Sequence, residues 1–304
     1  MLVRGSFVVV IVALVVAFAG TAFAQHLRPR DVDRLPSSTP QLVAHYGPDP
    51  LEYGELRLPS GAGPFPVAVV IHGGCWTSGF ATLRNTAPLA SALAERGIAT
   101  WNVEYRQSGD SGGGWPGTFL DWGAATDYVR VLARTQPLDV THVVVMGHSA
   151  GAHAALWLAS RAKLPAASEI RGSDPLPVAG AVAIDGPADF ASFAAPGIDA
   201  FVCGKPVIAP FMGGSLAELP GRYRAADPAT RVPLGVPQAL IASIVLPHAD
   251  AAAYAKKARA AGDRVDVLDG ENGGHFDIIA PGTNAWKTVG PFIVRFVRSV
   301  TGAS

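Results

Sequence analysis

Short apolar runs rich in β-branched residues alternate along this chain with stretches rich in Ala and Leu, and that rhythm restricts the fold more than any other feature. Residues 65–72 end in glycines, as a buried strand does, and residues 81–96 follow with helix formers that stop at Gly97. Residues 98–105 read as the next strand, 118–134 as a helix, 141–146 as a strand and 150–163 as a helix. Strands at 178–184, 238–245 and 264–268 and helices at 251–261 and 285–300 continue the series. Repeated strand–helix units of this length predict an α/β fold, a doubly wound and mostly parallel sheet with helices on both faces. Residues 51–58 are expected at an antiparallel edge. No internal repeat or linker divides the core, so residues 25–304 are expected to form one domain. Residues 191–236 break the rhythm with many Gly and Pro. They read as a short cap-like insertion over the carboxyl edge of the sheet, where open α/β folds bind ligands.

The first 24 residues read as an address. Arg4 is their only charged residue, 6–20 form an apolar run, and Ala22-Phe23-Ala24 supplies a small-x-small pattern before Gln25. A secretory signal peptide cut after Ala24 is expected, which makes the mature protein secreted or periplasmic. An uncleaved anchor is the other reading, because residues 5–24 nearly suffice to span a bilayer. No second run of that length exists, so no membrane association is expected after cleavage. Lys and Arg number 24 against 24 Asp and Glu, a balance without the basic footprint of a nucleic-acid partner. Export makes a disulfide between Cys75 and Cys203 chemically feasible, with two buried thiols as the alternative. No cysteine–histidine cluster, H-E-x-x-H or EF-hand spacing is present, so no metal or other cofactor is expected.

Three places concentrate chemistry. Gly147-His148-Ser149-Ala150-Gly151 joins the strand at 141–146 to the helix that follows. Small residues two before and two after a serine permit a sharp turn that presents its hydroxyl, which makes Ser149 the candidate nucleophile. His72-Gly73-Gly74-Cys75-Trp76 ends the strand at 65–71. Its glycines leave amides free to face a developing oxyanion, with the amide of Ala150 as the further expected donor. His72 itself reads as a hydrogen-bonding brace for that loop. Gly273-Gly274-His275-Phe276-Asp277 supplies a histidine that is late in the chain and flanked by glycine, as a general base requires. His26, His45 and His142 lie at ends or polar junctions, and His153, one helical turn after Ser149, reads as packing.

Together these motifs resemble the α/β-hydrolase family. His72-Gly73-Gly74-Cys75-Trp76 and Glu104-Tyr105-Arg106 are similar to its carboxylesterase and arylformamidase branches, over a stretch from about residue 50 to the end. The resemblance implies a serine–acid–histidine triad, an oxyanion hole at Gly73, Gly74 and Ala150, and no cofactor. It implies an acyl-enzyme esterase acting on a small-molecule acyl substrate. Amide hydrolysis, of the arylformamidase or peptidase type, is the alternative within the class. The acid departs from the pattern. The family places an Asp in a Gly-x-x-Asp turn after the strand corresponding to 238–245, and here no carboxylate follows until Asp250. Asp250 is therefore the expected acid, with Asp185 and Asp189 as rivals. The irregularity also leaves open a catalytically impaired binding protein on a hydrolase fold. Gly112–Gly117 formally matches G-x-G-x-x-G, but Trp115 and Pro116 occupy the positions a pyrophosphate would approach. The Cys203-Gly204-Lys205-Pro206 run lacks the flanks of a P-loop.

Overall fold

The computed structural model describes residues 26–270 and 273–302, so the expected signal peptide at 1–24 lies outside the described residues. Eight strands form one sheet: β1 (Leu42–His45), β2 (Tyr53–Arg57), β3 (Phe65–Ile71), β4 (Ala99–Val103), β5 (Leu138–His148), β6 (Gly180–Ile184), β7 (Gln238–Ala242) and β8 (Val265–Asp269). Their spatial order is β1-β2-β4-β3-β5-β6-β7-β8. From β4 to β8 neighbours run parallel, while β1–β2 and β2–β4 pair antiparallel. The doubly wound α/β expectation thus holds. The antiparallel segment at 51–58 is real but is not the edge. Leu42–His45 covers it, a four-residue strand too short and too mixed in polarity to read as one from sequence.

Burial on both faces explains why β3 and the Val143–Met146 part of β5 are continuously apolar. Val67, Val69 and Ile71 point to one core and Ala68 and Val70 to the other. Val143 and Val145 alternate in the same way with Val144 and Met146. On the first face lie the helices Gly117–Asp127, Ala150–Ser160 and His248–Ala260; on the second lie Ala87–Ala94 and Trp286–Thr301. Among the described residues no helix is long and apolar enough to cross a membrane.

Strand order decides where a site can form. After β3 the chain moves to one side of it, into β4, and then returns to the other side as β5. The loops leaving the carboxyl ends of β3 and β5 therefore diverge, opening a crevice between adjacent parallel strands. Those two loops carry His72–Trp76 and Ser149.

Candidate active site

Ser149 sits at the apex between β5 and the helix Ala150–Ser160, with φ 57° and ψ −120°. A non-glycine residue in this region costs on the order of 1–3 kcal/mol and persists only where its surroundings hold it. The holding contacts are close. A Cβ on Gly147 would fall 2.1 Å from the Gly151 carbonyl oxygen, and one on Gly151 would fall 2.1 Å from that of Ile71. Both glycines of the motif are thus required by the approach of strand, turn and helix. The Ser149 amide donates to the Ile184 carbonyl at 2.9 Å, tying the turn to β6.

The loop after β3, the candidate oxyanion loop, is strained as well. Gly74, Cys75 and Trp76 all have positive φ, at 112°, 53° and 53°. Cys75 is fixed by a disulfide to Cys203, at the end of the inserted helix Ile198–Cys203. Trp76 is buried, stacked on Phe211 at 5.7 Å, and its indole N–H donates to His153 Nδ1 at 3.3 Å. A Cβ on Gly73 would come within 2.8 Å of the Ser149 Cβ, so this loop packs directly on the serine. Ala150 begins the following helix, and its amide is one of the N–H groups that lack an intrahelical partner.

Beneath the loop, His72 Nε2 meets Glu104 Oε1 at 2.8 Å and Nδ1 meets the Gly73 carbonyl at 2.7 Å. Burial opposes ionisation of Glu104. The His72 ring and the amides of Leu83 and Tyr105 outweigh it and hold the carboxyl below its usual range. Tyr105 Oη donates to the His72 carbonyl at 2.9 Å. His72 is thus the brace its sequence position suggests, and Glu104-Tyr105 is its foundation.

His275 Nδ1 lies 2.7 Å from Asp185 Oδ2, and Asp185 is fully buried. Asp185 leaves β6 with φ 45°. Its Oδ1 accepts from the Val245 and Leu246 amides at 2.8 and 2.7 Å, and its Oδ2 from Ile244 at 3.2 Å. This corrects the expectation that Asp250 is the acid. β7 ends at Ala242, and the segment that would carry an acid after it instead wraps its amides around Asp185. Asp250 is exposed in the first turn of the helix His248–Ala260, where a carboxylate complements the helix dipole. Asp189 caps the short helix Phe190–Phe193 by accepting from the Ser192 amide at 2.9 Å.

Ser149, His275, Gly73 and Gly74 line one cavity of about 220 Å³. Its remaining wall includes Phe80, Asn85, Val202 and the disulfide, so the insertion reaches the site through Val202 and Cys203. Pro29, from the segment just after the expected cleavage point, also lines it.

Residues 55–245, well over half of the chain, match the BD-FAE family, an α/β-hydrolase-type esterase family. The chain belongs to the BD-FAE family. As a BD-FAE member it is an esterase-type α/β hydrolase. Solved structures share the fold. A truncated carbohydrate esterase from gut microbiota has a TM-score of 0.72 at 19% identity, covering 88% of this chain and 97% of that one. Esterase 2 of the planctomycete Thermogutta terrifontis with butyrate bound has a TM-score of 0.67 at 19% identity, covering 85% and 94%. The same esterase phosphonylated by cyclosarin has a TM-score of 0.68 at 17% identity, covering 88% and 97%. No curated protein matches this chain in sequence.

Two histidines in this BD-FAE site do structural work. His148 is fully buried, its Nε2 donates to the His275 carbonyl at 2.8 Å, and its ring lies 4.3 Å from that of His275. Burial, and the neighbouring His275, push its pKa well below the ordinary histidine value. His148 thus anchors the backbone of the loop that carries His275. Nothing about the variable position of a G-x-S-x-G motif signals this in sequence. His153 accepts from Trp76, so its Nε2 carries the proton and donates to the Ala226 carbonyl at 2.9 Å. It links the oxyanion loop, the helix behind Ser149 and the insertion, as packing rather than chemistry.

Burial pushes the His153 pKa from 6.5 down to about 3, and the nearby Arg231 charge acts in the same direction. The unfolded chain takes up this proton first. Stability tied to His153 is complete above about pH 6.5 and is lost as pH falls towards about 3. Between pH 7 and pH 4.5 the expected loss is roughly 3 kcal/mol, measured as the free energy of urea unfolding. The pH slope should flatten in His153→Gln. Equal slopes in the two proteins would refute this origin.

Proposed function

We propose that this BD-FAE member is a secreted or periplasmic serine hydrolase that cleaves small carboxylic esters through an acyl-enzyme intermediate. The observation that carries the reading is the 2.7 Å contact between His275 Nδ1 and a fully buried Asp185, with the same imidazole lining the cavity of Ser149. Asp185 keeps the proton on Nδ1 and leaves Nε2 to accept one. Ser149 Oγ attacks the acyl carbon as His275 Nε2 takes the hydroxyl proton. The amides of the Gly73–Gly74 turn and of Ala150 receive the negative charge on the carbonyl oxygen. The C–O bond to the alcohol then breaks, and the alkoxide leaves with the proton held by His275. Water enters, gives its proton to His275, attacks the acyl carbon and releases the acid with Ser149 restored.

A cavity of about 220 Å³ suits a short acyl group, and the related Thermogutta esterase is seen with butyrate bound. The reading as a catalytically impaired binding protein rested on a missing acid, and Asp185 removes that basis. Export is supported by the Cys75–Cys203 disulfide, a bond that persists in oxidising compartments, together with the leader composition of residues 1–24.

The test is a panel of p-nitrophenyl esters from acetyl to octanoyl, run beside aryl formamides and short peptides. Turnover should be highest on the two- to four-carbon esters. Hydrolysis confined to formamides or peptides would replace the proposal with an amide hydrolase.

A further inference from the structure

A second, larger cavity of about 490 Å³ adjoins the catalytic one, and Val202 and Val245 belong to both. The inserted segment supplies one wall and the loop after β7 the other. Large apolar side chains line it while standing in solvent: Phe201 is 90% exposed, Ile244 63% and Ile198 45%. With Phe80 at the catalytic cavity, four of the eight exposed large hydrophobics among the described residues gather around these two openings. Scattered apolar residues need no explanation, but such a gathering marks a ligand surface. Phe201 is also held in place. It lies on the helix Ile198–Cys203, whose end is bonded through Cys203 to the oxyanion loop, so its position relative to Ser149 is covalently restrained.

The groove's place relative to the reacting atoms identifies which half of a substrate it faces. Its wall at 244–246 is the backbone that cradles Asp185, and Asp185 carries His275. In a serine hydrolase the carbonyl oxygen turns to the oxyanion amides and the leaving oxygen to the imidazole that protonates it. An ester seated with its carbonyl oxygen at Gly73–Gly74 therefore sends its alcohol past His275 and Val245. The polar groups of the groove narrow its chemistry further. Lys257 is engaged with the Ala229 carbonyl at 2.8 Å, and the carboxylates Asp189 and Asp250 disfavour an anionic ligand.

We infer that this groove is a leaving-group subsite for a bulky, uncharged apolar alcohol, aryl or alicyclic, whose ring packs on Phe201. The inference rests on the esterase reading above and extends it from the acyl half of the substrate to the alcohol half.

The test uses Phe201→Ser and Phe201→Trp in the full mature chain. Each protein is assayed on 2-naphthyl acetate and ethyl acetate, so that the intrinsic reactivity of each ester cancels between proteins. The ratio of kcat/KM for 2-naphthyl over ethyl acetate should fall about tenfold in Phe201→Ser, mainly through KM, and survive in Phe201→Trp. A ratio within twofold of the wild type overturns the subsite. So does a fall in the hexanoyl-to-acetyl ratio of kcat/KM on p-nitrophenyl esters in its place, since that would make the groove an acyl site. Binding of 2-naphthol, followed by its fluorescence, separates this inference from the one beneath it. If the wild type cleaves no ester, binding that is weakened about tenfold in Phe201→Ser retains the groove while the esterase reading falls. Binding indifferent to Phe201 removes the groove.

Discussion

Ser149→Ala should abolish labelling by a fluorophosphonate and lower kcat on a short ester by about 10⁶. Loss of the nucleophile in a serine hydrolase removes the covalent path and leaves only binding and oxyanion stabilisation. The fold should survive. The backbone at 149 keeps its φ of 57° whichever side chain it bears, and the Ser149 amide bond to Ile184 involves no side-chain atom. Intact mass and a thermal unfolding curve close to the wild type would establish that the loss is chemical. Unchanged labelling or turnover in a folded Ser149→Ala protein would overturn the nucleophile assignment and everything built on it.

Asp185→Asn should lower kcat by about 10⁴, whereas Asp250→Asn should change it less than twofold. A carboxylate beside Nδ1 fixes the imidazole with its free lone pair towards the serine and stabilises the cation formed when the proton moves. An amide of the same size offers an N–H in place of an acceptor and turns the tautomer around. Asp185 also receives three backbone amides from residues 244–246, so the variant should lose on the order of 1–3 kcal/mol of stability. Rates are therefore compared well below the unfolding transition. Asp250 is solvated on a helix first turn, and Asn there retains the polar character of the site. A large loss in Asp250→Asn with near-normal Asp185→Asn would reverse the assignment.

The parts of this molecule that local sequence determines are those governed by local sterics and by burial period. The apolar runs of β3 and of Val143–Met146 in β5 read as strands covered on both faces, and the parallel sheet followed. Gly147 and Gly151 announced a crossing too tight for a Cβ, and that crossing put Ser149 on display. His275 stood out because a late, glycine-flanked histidine has few other reasons to exist. Each of these signals lies within a few residues of the feature it reports.

Only the tertiary structure decided what depends on separate strands meeting. The carboxylate that meets His275 is the clearest instance. Asp185 and Asp250 each follow a strand on the carboxyl side of the sheet, and nothing local distinguishes them. What separates them is that β6 lies next to β5 in the sheet, so the turn after β6 lies beside Ser149 and receives amides from the loop after β7. β1 was illegible because four residues of mixed polarity carry too little period to read. The pairing of Cys75 with Cys203 depends on a segment folding across 128 residues of chain onto the loop after β3. Local sterics act through neighbours in sequence and can be read there. A carboxylate's role is set by the neighbours that packing assembles in space, and those are chosen by the order of the whole sheet.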